Sequence, residues 1–556
     1  MVKYVETDVV GSVTLPSKIT IKNEELRGKW RSAFYWLLNF HHEEAVAQFS
    51  EVAEADPGCP MALWGRAYAL GSNYNFPPGL GSGFADIQKA LTTLDGVTTL
   101  EGDLITALAT RWDEDSTKSI NVAKMAMGNS PKLNLAYAEA MKGLYEKYPD
   151  SLDIAAFYAE SLMNLKPWEL WTTDGKPADD NTVRLVGVLE AHLAQEGGLQ
   201  HPALCHLYCH AMELSPTPEK ACAAADSLRG LVKEAGHLLH MPSHIDAWTG
   251  QYEEGLLANE VAVKADDAYV SATGCESNFY KFYRCHNMHF AVWMACFEGR
   301  YEKALEYARL VQKVTPPGVD GVEFVLGGAI PLGALFLESY HPLRWHVWIR
   351  FGKWEELLAE PVPEDPSIYP VSVATAYYAR GIAYASTNRV KEAEEMRILF
   401  HESLKNPKLE GVLLHNVPFT PTDGKVGASE VASKMLDGEI AYRKGEFNEA
   451  FAALREAVQL DASLPYDEPW GWMVPSRHAL GALLLEQGHT KEAEEVYRAD
   501  LKQYKDNMWG LLGLRDCLLA QGRNDEAKQV DELFQKKSAR SDTTAKHTCF
   551  CAGVSK

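Results

Sequence analysis

One short phrase recurs down this chain and restricts what it can fold into: a Gly or Asn followed five residues later by a small Ala. It occurs as Gly299-Arg-Tyr-Glu-Lys-Ala304, Asn388-Arg-Val-Lys-Glu-Ala393, Gly445-Glu-Phe-Asn-Glu-Ala450, Gly488-His-Thr-Lys-Glu-Ala493 and Gly522-Arg-Asn-Asp-Glu-Ala527. Glycine enters the left-handed conformation that closes a helix at little cost. The Ala then lets a second helix pack closely on the first. A chain punctuated in this way is all-α, built of helix–turn–helix pairs.

From Ala493 to Ala527 is 34 residues, and from Ala450 to Ala493 is 43, a repeat with an insertion. Ala62-Leu-Trp-Gly-Arg-Ala-Tyr68 follows Asp56-Pro57, and Trp509-Gly510 through Gly513 repeats the Trp–Gly pattern. These features resemble the tetratricopeptide repeat family. The resemblance implies an irregular α-solenoid of stacked helix pairs with long loop inserts, each pair burying its apolar face against the next. The expected organisation is an N-terminal segment (1–29), a single solenoid (30–535) and a disordered tail (536–556). The solenoid is most regular over 430–535 and has a histidine-rich centre at 201–289.

Hydrophobic residues make up 46% and charged residues 23%, so a large core is expected. The formal net charge of −22 argues against nucleic acid or an anionic membrane as the main partner. No apolar run reaches the ~20 residues of a membrane helix. The sparse cysteines suggest no disulfide framework, so a reducing, cytoplasmic setting is expected.

Eight of the 18 histidines fall in the centre: His201, His206, His210, His237, His240, His244, His286 and His289. A solenoid gains nothing from clustered imidazoles, whereas neutral imidazole is the commonest side-chain metal ligand. After Pro202, which suits a first helical turn, His206, His210 and Glu213 fall at i, i+4 and i+7 on one face. The next segment is Gly236-His237-Leu-Leu-His240-Met-Pro242-Ser-His244. Pro242 disfavours helical geometry at Met241, so a new helix is expected there, leaving His237 and His240 before it. The expected metal ligands are His206, His210, His240, His244 and His289. Glu213, His237 and Tyr280 are expected to serve catalysis, and Trp168, Trp171 and Arg284 to contact substrate. Whether His237, His286, His341 and His346 are ligands stays open. His41, His42, His192, His401, His478, His489 and His547 read as ordinary hydrogen-bonded residues.

The segments 236–244, Met163–Trp171 and Leu464–Pro469 resemble those of tetratricopeptide proteins with a histidine-rich centre, which implies one architecture and no substrate. A nitrogen-rich donor set without cysteine suits a transition metal such as Cu, Fe or Zn. The leading reading is a metal-dependent enzyme acting on a small molecule, with a slight preference for redox chemistry. The alternatives are a scaffold for a peptide or protein partner, and a metal carrier without catalysis. Residues 166–180 and 315–330 are expected to close over the cluster, and Glu276 to line the same pocket.

Overall fold

The computed structural model describes residues 12–76, 79–114, 131–172, 174–274, 279–315, 331–469 and 471–553. The insert beyond Thr315 and Glu276 lie outside them. Helices dominate, and the only strands among the described residues are the short antiparallel pair Leu413–Leu414 and Val417–Pro418. No helix among these residues is long and apolar enough to cross a membrane.

Two compact units stand where the sequence reads as one array. The first runs to Ile245 and takes in Ala258–Arg284. The second holds Asp246–Leu257 and the described residues from Cys285 onward.

In the first unit consecutive helices pack in pairs: Glu24–Leu38 on His42–Ala55, then on through Pro60–Leu70, and Leu152–Met163 through Asp180–Leu193 to Pro202–Met212. The seams use small residues. A Cβ on Gly65 would stand 2.4 Å from the Phe49 ring, so glycine permits this close approach. Trp30, Phe34, Trp64 and Phe157 fill the space between helices in stacked and edge-on contacts. The expected N-terminal segment is partly built into this core, with Leu15, Ile19 and Ile21 buried and the first long helix beginning at Glu24.

The second unit contains the regular repeats. Gly445 closes the helix Ala428–Lys444 with φ 80°, and Ala450 of the following helix is fully buried. The Tyr497 ring lies between Gly481 and Gly513, where added Cβ atoms would come within 2.5 and 2.2 Å of it. The segment expected to be a disordered tail is packed as far as the described residues run. Thr548 and Cys551 are buried, and Thr548 Oγ1 donates to the His478 carbonyl (2.9 Å) and meets Tyr497 Oη (2.6 Å). Its polar composition hid these few anchoring contacts.

Candidate metal centre

In the first unit five imidazoles form a closed circuit. Ring centroids are 5.0 Å apart from His206 to His210, 5.3 Å from His210 to His244 and 4.7 Å from His244 to His240. The circuit closes at 5.9 Å from His240 to His237 and 4.9 Å from His237 to His206. All five residues are at most 1% exposed.

Two helical stretches supply them. The helix Pro202–Met212 presents His206 and His210 one turn apart, with Glu213 as its C-cap. A new helix begins at Pro242, as expected, although the junction before it keeps helical geometry. Met241 is helical (φ −51°, ψ −35°), its N–H donates to the His237 carbonyl, and the His244 N–H donates to Met241. Gly236–His240 therefore runs almost directly into Pro242–Thr249. At the first turn of the second helix Pro242 loses no hydrogen bond, so His237, His240 and His244 keep one face.

The outer nitrogens are committed. Glu213 takes one imidazole on each oxygen: His210 Nδ1 donates to Oε1 (3.0 Å) and His244 Nδ1 to Oε2 (2.5 Å). His240 Nδ1 donates to Asn259 Oδ1 at 2.7 Å. With both Nδ1 protons engaged, the Nε2 lone pairs of His240 and His244 face one another at 2.8 Å. His206 Nε2 and His237 Nε2 are 3.1 Å apart, and the Asn75 amide points at His237 Nε2 from 3.3 Å. His210 Nε2 is buried without a hydrogen-bond partner. Ligand nitrogens of His206, His210 and His237 lie within 4.8 Å of one another. Neighbouring ligands on one ion with bonds of about 2.0–2.1 Å stand about 2.9 Å apart at a right angle and about 3.3 Å apart in a tetrahedron. The two close pairs match that spacing.

The electrostatics favour the neutral form of three of these rings. Burial, reinforced by neighbouring imidazoles, pushes His206, His237 and His240 well below the usual histidine range. A metal ligand must be in this neutral state. Burial alone would raise Glu213, but His244 and His210 outweigh it and hold the carboxyl well below the usual carboxylate range.

Around the circuit Phe40 packs 4.5 Å from His206, Tyr74 5.1 Å from His210 and Tyr283 4.6 Å from His237. Phe40 adopts a left-handed φ of 58°, a costly conformation for an aromatic residue that surrounding structure must enforce. Asn75, Asn259, Phe40 and Tyr74 carried no signal in the sequence, since each lies outside the histidine-bearing segments of the centre.

The other expected site residues fall as follows. Trp171 Nε1 donates to the Ala211 carbonyl (2.7 Å), pinning the insert 166–180 to the end of the His206–His210 helix. Trp168 packs on Tyr74, ring to ring at 5.8 Å. The Tyr280 hydroxyl accepts from the His237 backbone N–H (3.0 Å), and burial raises it well above the usual phenol range. Arg284, itself buried, pairs with the exposed Asp267 (2.7 Å). His201 caps its helix through Nδ1 and meets Asp153 through Nε2.

His289 belongs to the second unit, where its Nε2 lies 3.1 Å from Met473 Sδ. It lines a cavity of about 40 Å³ with His346, His415 and Asp467. His415, on a hairpin turn at φ 57°, donates Nδ1–H to Asp467 Oδ1 (2.6 Å), and His286 stacks on it at 4.8 Å. His341 instead meets the Thr315 carbonyl and hydroxyl.

Residues 484–530 match the family model for the tetratricopeptide repeat. No curated protein matches the chain. Among solved structures it is similar to the human IFIT1 dimer with PPP-AAAA, at 11% identity over 95% of this chain and 96% of that one (TM-score 0.30). It is also similar to yeast Tom70, at 13% identity over 94% and 100% (TM-score 0.27).

Proposed function

We propose that this tetratricopeptide repeat protein binds a late transition metal in its first unit, through His206, His210, His237, His240 and His244. The observation that carries the reading is the pair of Nε2 lone pairs on His240 and His244, 2.8 Å apart with both Nδ1 protons given to other acceptors. Two such lone pairs need a cation between them, a metal ion or a proton. Glu213 orients two ligands from behind, the carboxylate–histidine arrangement that fixes tautomer and raises basicity.

The donor set narrows the metal. Both Glu213 oxygens are occupied by imidazole N–H groups, which disfavours the two-histidine, one-carboxylate facial set typical of non-haem iron. An all-imidazole set suits copper and zinc, and the general order of divalent affinities favours copper. Bound there, such a metal would supply Lewis acidity or, as copper, one-electron chemistry.

The cavities lined by Phe40, His41, Tyr280 and Tyr283 and by Phe40 and His206 are about 10 Å³ each. Small-molecule pockets measure roughly 300–1,000 Å³. This favours holding the metal over turning over a substrate in the closed unit, and makes the metal-dependent enzyme the second reading. Trp168 and Trp171, packed over the circuit's outer side, are the residues that would have to move for a substrate to enter.

Calorimetric titration of metal-stripped protein with Cu(II) and Zn(II) tests the reading. Saturable binding of one or two ions that is lost in His210→Ala and His244→Ala, both still helical, supports it. Equal binding in wild type and variants would end it.

A further inference from the structure

A second cluster of ligand atoms lies in the second unit, apart from any histidine. Cys549 and Cys551 are joined by a disulfide, and their sulfurs lie with a Glu439 carboxylate oxygen inside one 4.8 Å group. Glu439 comes from the helix Ala428–Lys444 and is 2% exposed, and its Oε2 has no hydrogen-bond partner. Burial raises this carboxyl to about 7, with Glu486 adding to the shift and the Arg443 guanidinium opposing it. A buried carboxylate short of partners is costly unless a cation or proton meets it.

The C-terminal segment is held by contacts to this helix and to the helices Leu343–Phe351 and Ser476–Glu486. Arg443 donates to the Cys551 carbonyl, Arg350 to the Thr548 carbonyl, and the Gly553 N–H to Glu486 Oε2 at 3.3 Å. The two sulfurs are thus delivered to Glu439 by fixed backbone. Cys551 is buried, whereas Cys549 is partly exposed and open to an attacking thiol.

We propose that reduction of the Cys549–Cys551 disulfide creates a binding site for a thiophilic divalent cation of the zinc class, with both sulfurs and Glu439 as ligands. A dithiol reductant supplies the two electrons. Its thiolate attacks one sulfur and breaks the Cys549–Cys551 bond to give a mixed disulfide, its second thiol resolves that bond, and the reductant leaves as its own disulfide with its two protons passed to the cysteines. Cation binding then releases the two thiol protons. Two thiolates and one carboxylate leave a fourth position open on a tetrahedral ion, the pattern of exchangeable rather than purely structural zinc sites. The sulfurs exclude the cation when joined and bind it when reduced, so the segment is a thiol-controlled cation site.

The test uses the full chain, reduced with dithiothreitol, desalted without oxygen and titrated with Co(II) as a zinc probe. The reduced protein should develop a thiolate-to-cobalt charge-transfer band that saturates at one ion, and the oxidised protein should not. Cys549→Ser/Cys551→Ser should abolish the band. Glu439→Gln, which keeps both sulfurs and the side-chain shape, should weaken cobalt binding at least 10-fold. The band should persist in His210→Ala, which separates this site from the imidazole centre. A band of equal strength in the oxidised protein or the double variant, or unchanged affinity in Glu439→Gln, would overturn the proposal.

Discussion

Glu213 works by having no oxygen to spare. It accepts His210 Nδ1–H and His244 Nδ1–H on separate oxygens, so two ligands share one anchor. Glu213→Gln keeps the shape but turns a donor toward one imidazole N–H. Metal affinity should fall about 10–100-fold, read by chelator competition, with helicity unchanged; an unchanged affinity would remove Glu213 from the centre. Nearby, His42 is a buried ring whose Nδ1 donates to the Ala69 carbonyl and whose burial lowers it to about 3. Because its folded value is depressed, its stabilising contribution is complete above the unfolded value near 6.5 and is lost as pH falls toward 3. Metal-free wild type should therefore lose about 2 kcal/mol more than His42→Gln between pH 6.5 and 5, at about 1.36 kcal/mol per unit. Denaturant melts of the first unit at both pH values measure the difference, and parallel pH profiles would contradict it.

Among the elements, the insert carrying Trp168 and Trp171 is a brace on the metal-bearing helix. Trp171→Phe keeps the ring and deletes the bond to the Ala211 carbonyl, a loss of about 1 kcal/mol. Metal extraction by EDTA should become faster without a change in ligand spectroscopy, whereas an unchanged extraction rate would mean the insert does not guard the site. The i, i+4, i+7 spacing of His206, His210 and Glu213 was legible because one unbroken helix carries all three. The second histidine segment was harder to read. Pro242 marks the start of a new helix but not its angle to the one before, and Met241 keeps helical geometry at the junction despite the proline that follows it. His201 and His206 look alike in sequence, but the first is consumed as a helix cap. Asn259, Asn75 and the His415–Asp467 pair depend on approaches between distant segments, which local spacing does not encode.

At the scale of the molecule, the repeats supply rigidity and the histidines interrupt it. Five imidazoles buried in one unit replace apolar packing and leave that unit dependent on what they hold. A metal that binds only the folded state stabilises it by about 2.7 kcal/mol at a free concentration of 100 Kd. Hydrogen exchange should accordingly slow on copper or zinc addition in Pro202–Met212 and Gly236–His240 of the first unit. Exchange unaffected by metal in both helices would show that the circuit is held by hydrogen bonds alone. The repeat phrase made the helical class legible, since Gly and Ala mark helix ends and seams locally. The division into two compact units was not, because all five copies of the phrase lie in the second unit and none marks a boundary.

Anomalous diffraction at the copper and zinc edges, from crystals of the metal-loaded protein, is the most direct measurement of the central claim. The account predicts a peak inside the circuit, within about 2.0–2.1 Å of ring nitrogens from at least three of His206, His210, His237, His240 and His244, with Glu213 outside the coordination shell. A circuit with no anomalous peak, its rings hydrogen-bonded to one another at saturating metal, would contradict it.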